Sequence, residues 1–90
     1  MESRKALKIY GRVQGVGFRW YTRRQAHQLG LRGYVRNCYD GTVEVMLAGP
    51  VEAVDEMCRW LEVGPPGARV DRTERLPPSD QPFEDFDVSY

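Results

Sequence analysis

Long apolar runs are missing from this chain. No uninterrupted hydrophobic stretch exceeds a few residues, which excludes a membrane-spanning helix, since a span needs roughly 20 such residues. The opening run Met1-Glu-Ser-Arg-Lys-Ala-Leu-Lys8 lacks the apolar core of a secretory signal, so a cytoplasmic location is expected. Cysteine is scarce as well. Cys38 and Cys58 allow at most one bridge, too few for a disulfide scaffold and, as reduced thiols, in keeping with the cytosol. With the single histidine His27 and no cysteine pair at ligand spacing, a structural zinc site is not expected. Net charge is absent too: thirteen Lys and Arg balance thirteen Asp and Glu, so no bulk field draws in nucleic acid or a membrane surface.

What remains is the composition of a soluble globular protein, 41% hydrophobic and 29% charged. Ninety residues provide for one domain, spanning 1–90, with a small core and a stability on the order of 5 kcal/mol. The zero total hides an asymmetry. Residues 1–36 hold nine bases and one acid, a net of +8, and residues 37–90 hold four bases and twelve acids, a net of −8. An anion is therefore expected to meet the first third of the chain, although a folded domain interleaves its halves and cancels part of this.

Periodicity divides the chain clearly. Leu7, Ile9, Gly11 and Val13 share one parity against Lys8, Tyr10 and Arg12, which predicts a half-buried strand over Lys5–Val13. After Gln14-Gly-Val-Gly17, the residues Phe18, Thr22, Ala26 and Leu29 fall on one face of a helix closed by Gly30. Leu31–Cys38 reads as a second strand, Asp40-Gly41 as a hairpin turn, and Thr42–Ala48 as a third strand ended by Gly49-Pro50. A second helix over about Val51–Val63 places Val51, Val54, Met57, Cys58 and Leu61 together and stops at Gly64-Pro-Pro-Gly67. Arg69–Leu76 suits an edge strand, 77–82 a loop, and Phe86–Tyr90 a short final strand. This βαββαβ order with a terminal strand predicts an α+β, ferredoxin-like split β-α-β sandwich, an antiparallel sheet carrying two helices on one face. The architecture hosts many functions and names none.

Chemistry concentrates in Gly11-Arg-Val-Gln-Gly-Val-Gly-Phe-Arg19. Two glycines let the backbone curl so that successive N–H groups converge, and the following helix adds its own N-terminal amides. Arg19, in the first turn, can fork onto two oxygens of one anion. A phosphate suits this cradle. The same residues also fit a tight strand-to-helix turn with a solvated arginine. No Lys-Ser/Thr pair follows the loop, so it is not a P-loop. Val13 stands where a phosphocysteine mechanism would need a thiol. Asn37, before the Asp-Gly turn, carries a donor and an acceptor and can hold a water at a fixed angle without titrating. Its plainer role is to tie down its own turn.

Residues 11–19, together with Leu-Gly-Leu-Arg-Gly-Tyr-Val-Arg-Asn (29–37) and Asp-Gly-Thr-Val-Glu-Val (40–45), resemble the acylphosphatase family, and the likeness extends over nearly the whole chain. Tyr34 stands where the family often has Trp, and Cys38 where an apolar residue is common. The resemblance implies hydrolysis of a carboxyl–phosphate anhydride to a carboxylate and inorganic phosphate, without metal or organic cofactor. It places the phosphate-binding arginine on Arg19 and the water-positioning asparagine on Asn37. The backbone cradle falls on Gln14, Gly15, Val16, Gly17 and Phe18. It implies a small-molecule acyl phosphate as partner, with no nucleic acid and no membrane, and a monomer is expected.

An RNA-recognition module shares the architecture, but its basic-Gly-aromatic-Gly-aromatic strand signature is absent. The same module also forms the front end of a larger carbamoyl-transferring enzyme that matures hydrogenases. With no partner domain in these 90 residues, a free-standing enzyme is expected. His27 is expected on the surface rather than in catalysis, Arg23 and Arg24 on a solvated helix face, and both cysteines in packing.

Overall fold

The computed structural model describes residues 1–89; Tyr90, assigned above to the end of the last strand, lies outside the described residues. The chain forms β1 (Glu2–Arg12), α1 (Phe18–Gln28), β2 (Arg32–Asn37), β3 (Val43–Pro50), α2 (Val51–Val63), β4 (Arg69–Leu76) and β5 (Phe86–Ser89). The strands make one sheet in the order β4-β1-β3-β2-β5. Both helices lie on one face of it. There Leu7, Ile9, Val35, Val43, Val45, Leu47 and Phe86 of the strands meet Phe18 and Ala26 of α1 and Val54, Met57 and Leu61 of α2 in a single core. This is the ferredoxin-like α+β arrangement that the order of elements predicts, and β4 holds the expected edge.

The helix ends follow from local chemistry. At the C-terminus of α1 the N–H of Leu31 reaches back to the Ala26 carbonyl at 2.9 Å and that of Gly30 to His27 at 3.1 Å. These bonds satisfy two carbonyls that the helix leaves open. Gly64 closes α2 by donating to Trp60 at 2.8 Å. On the buried face of α1, Thr22 is fully enclosed with Phe18 and Ala26, as the spacing predicts.

Pairings are antiparallel except the last, in which β5 runs parallel to β2. The sheet is therefore mixed at one edge, because β4 and β5 sit at opposite edges and the chain between them must cross the sheet. It crosses on the face away from the helices. Arg4 of β1 donates to the carbonyls of Ser79 and Gln81 at 2.8 and 2.7 Å and lies over the Phe83 ring, while Tyr34 of β2 meets the same ring. Beneath this strap the even-parity residues Ala6, Met46 and Ala48 are buried.

The charge halves interleave. Lys5 pairs with Asp55 of α2, Lys8 with Asp40 and Arg36 with Glu44, each across the two halves, while Arg32 pairs with Glu2 of its own half. Among the described residues, no helix is long and apolar enough to cross a membrane.

Candidate active site

β1 and β2 both pair antiparallel with β3, so they point the same way. Val43 of β3 stands between Ile9 of β1 and Asn37 of β2. The connection leaving β1 and the end of β2 therefore emerge at the same end of the sheet. The parallel strand β5 brings Val88 alongside Val35, towards that end. Topology alone thus gathers two segments that are separate in sequence.

Between β1 and α1 the chain turns through Gly15 and Gly17, at φ 75° and 74°. An L side chain is strained in that left-handed region by roughly 1–2 kcal/mol, and no residue other than glycine adopts a positive φ among those described. Gly17 is the residue that opens α1 and supplies no side-chain cap, leaving the first-turn amides and the positive end of the helix dipole facing the loop. A cleft of about 250 Å³ forms here, walled by Gly15, Gly17 and Arg19 from the loop and helix and by Asn37 from β2. Val13, Phe18, Trp20 and Val88 complete it. Among the described residues that line it, Arg19 is the cation and none is acidic. The loop glycines, Arg19 and Asn37 are thus brought together. Among the described residues no three His, Cys, Asp or Glu side chains converge as metal ligands would.

The β2–β3 turn that carries Asn37 is tied by other residues. Asp40 accepts from the Thr42 amide at 3.1 Å and from the Thr42 hydroxyl at 2.5 Å, and Lys8 reaches its other oxygen at 2.8 Å. The Lys8 ammonium first, and Thr42 after it, hold the Asp40 carboxyl well below the usual carboxylate range. The plainer role read from sequence for Asn37, tying down its own turn, is performed by Asp40.

Gln14 contributes a bond that sequence reading did not supply. Its side-chain amide donates to the carbonyls of Cys38 and Thr42 at 2.8 and 2.9 Å, clamping the glycine loop onto the turn beside Asn37. A glutamine between an apolar strand end and a glycine is the signal that could have raised the question. Trp20 also forms part of the cleft wall. Its place directly after Arg19 in the first helical turn was the available hint.

Other candidates lie outside the cleft. His27 sits 3.1 Å from the Phe86 carbonyl and 3.2 Å from Asp85, and Arg23 donates to the same carbonyl at 3.3 Å, so both fasten α1 to β5. Arg24 lies over Trp20. On the strap side of the sheet, Glu44 accepts from Tyr34 at 2.5 Å and from Arg36 at 2.7 Å. Burial alone would lift the Glu44 carboxyl, but these two donors overcome it and hold it below its ordinary value. Burial, then the hydrogen bond to Glu44, pushes the Tyr34 hydroxyl up to about 12. Both cysteines are free thiols. Burial raises the Cys58 thiol, which suits its packing against the core and not a nucleophile.

Comparison with known proteins agrees along the whole chain. The family model described as Acylphosphatase matches residues 5–88. The chain is 54% identical over 85 residues to an acylphosphatase of Yersinia pseudotuberculosis, covering 91% of this chain and 90% of that one. It is 55% identical over 71 residues to an acylphosphatase of Thermococcus kodakarensis, covering 79% and 78%. Among solved structures, the acylphosphatase from Bacillus subtilis superposes with a TM-score of 0.91 at 31% identity, covering both chains in full. HypF from T. kodakarensis matches this chain in full with a TM-score of 0.84 at 34% identity, but over only 12% of its own length.

Proposed function

Because the chain belongs to the acylphosphatase family, we propose that its cleft hydrolyses the carboxyl–phosphate bond of small acyl phosphates, releasing a carboxylate and inorganic phosphate. The observation that carries this reading is the convergence of Gly15, Gly17 and Arg19 with Asn37 in one cleft. The Arg19 guanidinium and the backbone N–H groups of Gln14–Phe18 hold the phosphoryl oxygens. Asn37 aims a water at phosphorus, in line with the departing carboxylate.

The chemistry suits these few parts. A carboxylate is a weak base and leaves without a general acid. A loose, metaphosphate-like transition state is served by charge and positioning more than by covalent help. Holding the water in line supplies the orientation contribution. The proton of the attacking water passes to the phosphate itself, and the reading calls on no metal or organic cofactor. It also takes the 90 residues as one cytoplasmic, monomeric domain. Relatives described as acylphosphatases match over most of both lengths, which supports the hydrolase reading.

The test is phosphate release from benzoyl phosphate in EDTA by the wild type, Arg19→Gln and Asn37→Ala. The Arg19 variant is expected to lose both binding and rate, and the Asn37 variant mainly rate. Each loss should be roughly 10²-fold or more, about 2.7 kcal/mol, as for an essential charge or positioning contact. A wild type that binds phosphate but releases none would make the cleft a binding module instead.

A further inference from the structure

An acyl phosphate has two ends, and Arg19, the loop and Asn37 account for one of them. Among the described residues the rest of the cleft wall is apolar, formed by Val13, Phe18, Val88 and Trp20. Val13 and Phe18 are buried at 1% and 2% exposure and serve as floor. Trp20, 58% exposed, is the large apolar surface a bound acyl group can reach, with half-buried Val88 beside it.

The indole is also held in place. The Tyr21 ring meets it edge-on, at 84° and 4.9 Å between centroids, and the Arg24 guanidinium lies 5.6 Å from its centre. A fixed aromatic face loses little conformational freedom when another flat group packs on it, so more of the contact appears as affinity. A small acyl group such as acetyl has no surface to offer it. A cationic acyl group would meet Arg19 and Arg24, with no acid among the described residues of the wall to compensate.

We propose that Trp20 is the acyl-recognition surface of this site, and that the enzyme selects acyl phosphates with a planar, apolar acyl group over those with a small one. This rests on the hydrolase reading above, and it adds the substrate class.

The experiment measures kcat/KM for benzoyl phosphate and acetyl phosphate with the wild type, Trp20→Ala and Trp20→Phe. Comparing the benzoyl-to-acetyl ratio between variants cancels the intrinsic difference in reactivity of the two anhydrides. The ratio is expected to fall about fivefold or more in Trp20→Ala, through KM for benzoyl phosphate, and to be largely kept in Trp20→Phe, the size of effect an aromatic contact supplies. Inhibition by inorganic phosphate, which reads only the phosphoryl end, is expected to hold in both variants and reports that the loop is intact. A ratio that does not move in Trp20→Ala, with phosphate still inhibiting, overturns the assignment of Trp20. A ratio that moves together with a loss of phosphate inhibition does so as well, since the change then lies in the loop. A wild type that cleaves neither acyl phosphate overturns the hydrolase reading itself, and this inference falls with it.

Discussion

The side-chain amide of Gln14 holds the carbonyl of Cys38 at 2.8 Å, and so joins the loop that leads into Arg19 to the strand end that carries Asn37. A second bond from the same nitrogen, to Thr42 at 2.9 Å, spans the turn. Two segments far apart in the chain, each supplying half of the proposed chemistry, are thereby fixed to one another by a single residue. In an in-line displacement, the distance between the phosphoryl group and the water is the quantity such a clamp controls.

Removing the clamp should therefore cost rate more than binding. Gln14→Ala is expected to lower kcat about tenfold or more, in the range that a small misplacement of reacting groups produces, with KM changing by less. Gln14→Glu, of the same shape but unable to donate when ionised, should behave at least as badly. Steady-state kinetics on benzoyl phosphate check this. Equal kcat in wild type and Gln14→Ala would show that the turn holds its place through the Asp40 bonds alone.

Acid should loosen that same turn. The Asp40 carboxyl is held below its ordinary value by Lys8 and then Thr42. Its depressed folded pKa contributes stability that is present above the unfolded value of about 4 and is lost as pH falls through the folded one. Thermal melts between about pH 5 and 2 should fall more steeply for the wild type than for Asp40→Asn. Parallel curves would show that the pair adds nothing to stability.

Thr22 offers a gain. Its hydroxyl is buried on α1 with no hydrogen-bond partner among the described residues. An unsatisfied buried hydroxyl costs roughly 1–3 kcal/mol, and valine has nearly the same shape. Thr22→Val is expected to raise stability by about 1 kcal/mol, read as a higher urea midpoint at unchanged slope. A lower midpoint would mean that the hydroxyl is bonded in solution.

His27 should leave the chemistry alone. It lies on α1 against Phe86 and Asp85, outside the cleft wall. His27→Gln is expected to keep the pH–rate profile of the wild type while losing at most about 1 kcal/mol of stability, as for one partly exposed hydrogen bond. A limb of the profile that disappears in the variant would make His27 a proton carrier.

Much of the fold was legible because it rests on short-range rules. The alternation of Leu7 and Ile9 against Lys8 and Tyr10, and the spacing of Val54, Met57 and Leu61, select strand and helix by the face each must bury. Gly64-Pro-Pro-Gly67 stops α2 for backbone reasons that need no partner. The glycine loop was visible for the same reason: a left-handed turn at Gly15 and Gly17 requires the residue without a Cβ, and Arg19 follows directly. Asn37 was harder, since an asparagine before a turn has two uses. Only the bonds made by Asp40 to Thr42 show that the turn is closed without it.

By itself, then, the sequence determined the elements, the stops of the helices, and the loop that opens α1, because these depend on neighbours a few residues away, whereas β1 begins earlier, at Glu2, and β3 runs on through Gly49-Pro50. The tertiary structure decided what stands beside what. It laid β5 parallel to β2 because the strap from β4 crosses the sheet, and that brought Val88 to the cleft. It set Gln14 against the Cys38 carbonyl and turned Trp20, one aromatic among ten by composition, into a wall of the site. Those placements follow from strand order and register, which are set by how the whole apolar surface is buried at once, and no local pattern records them.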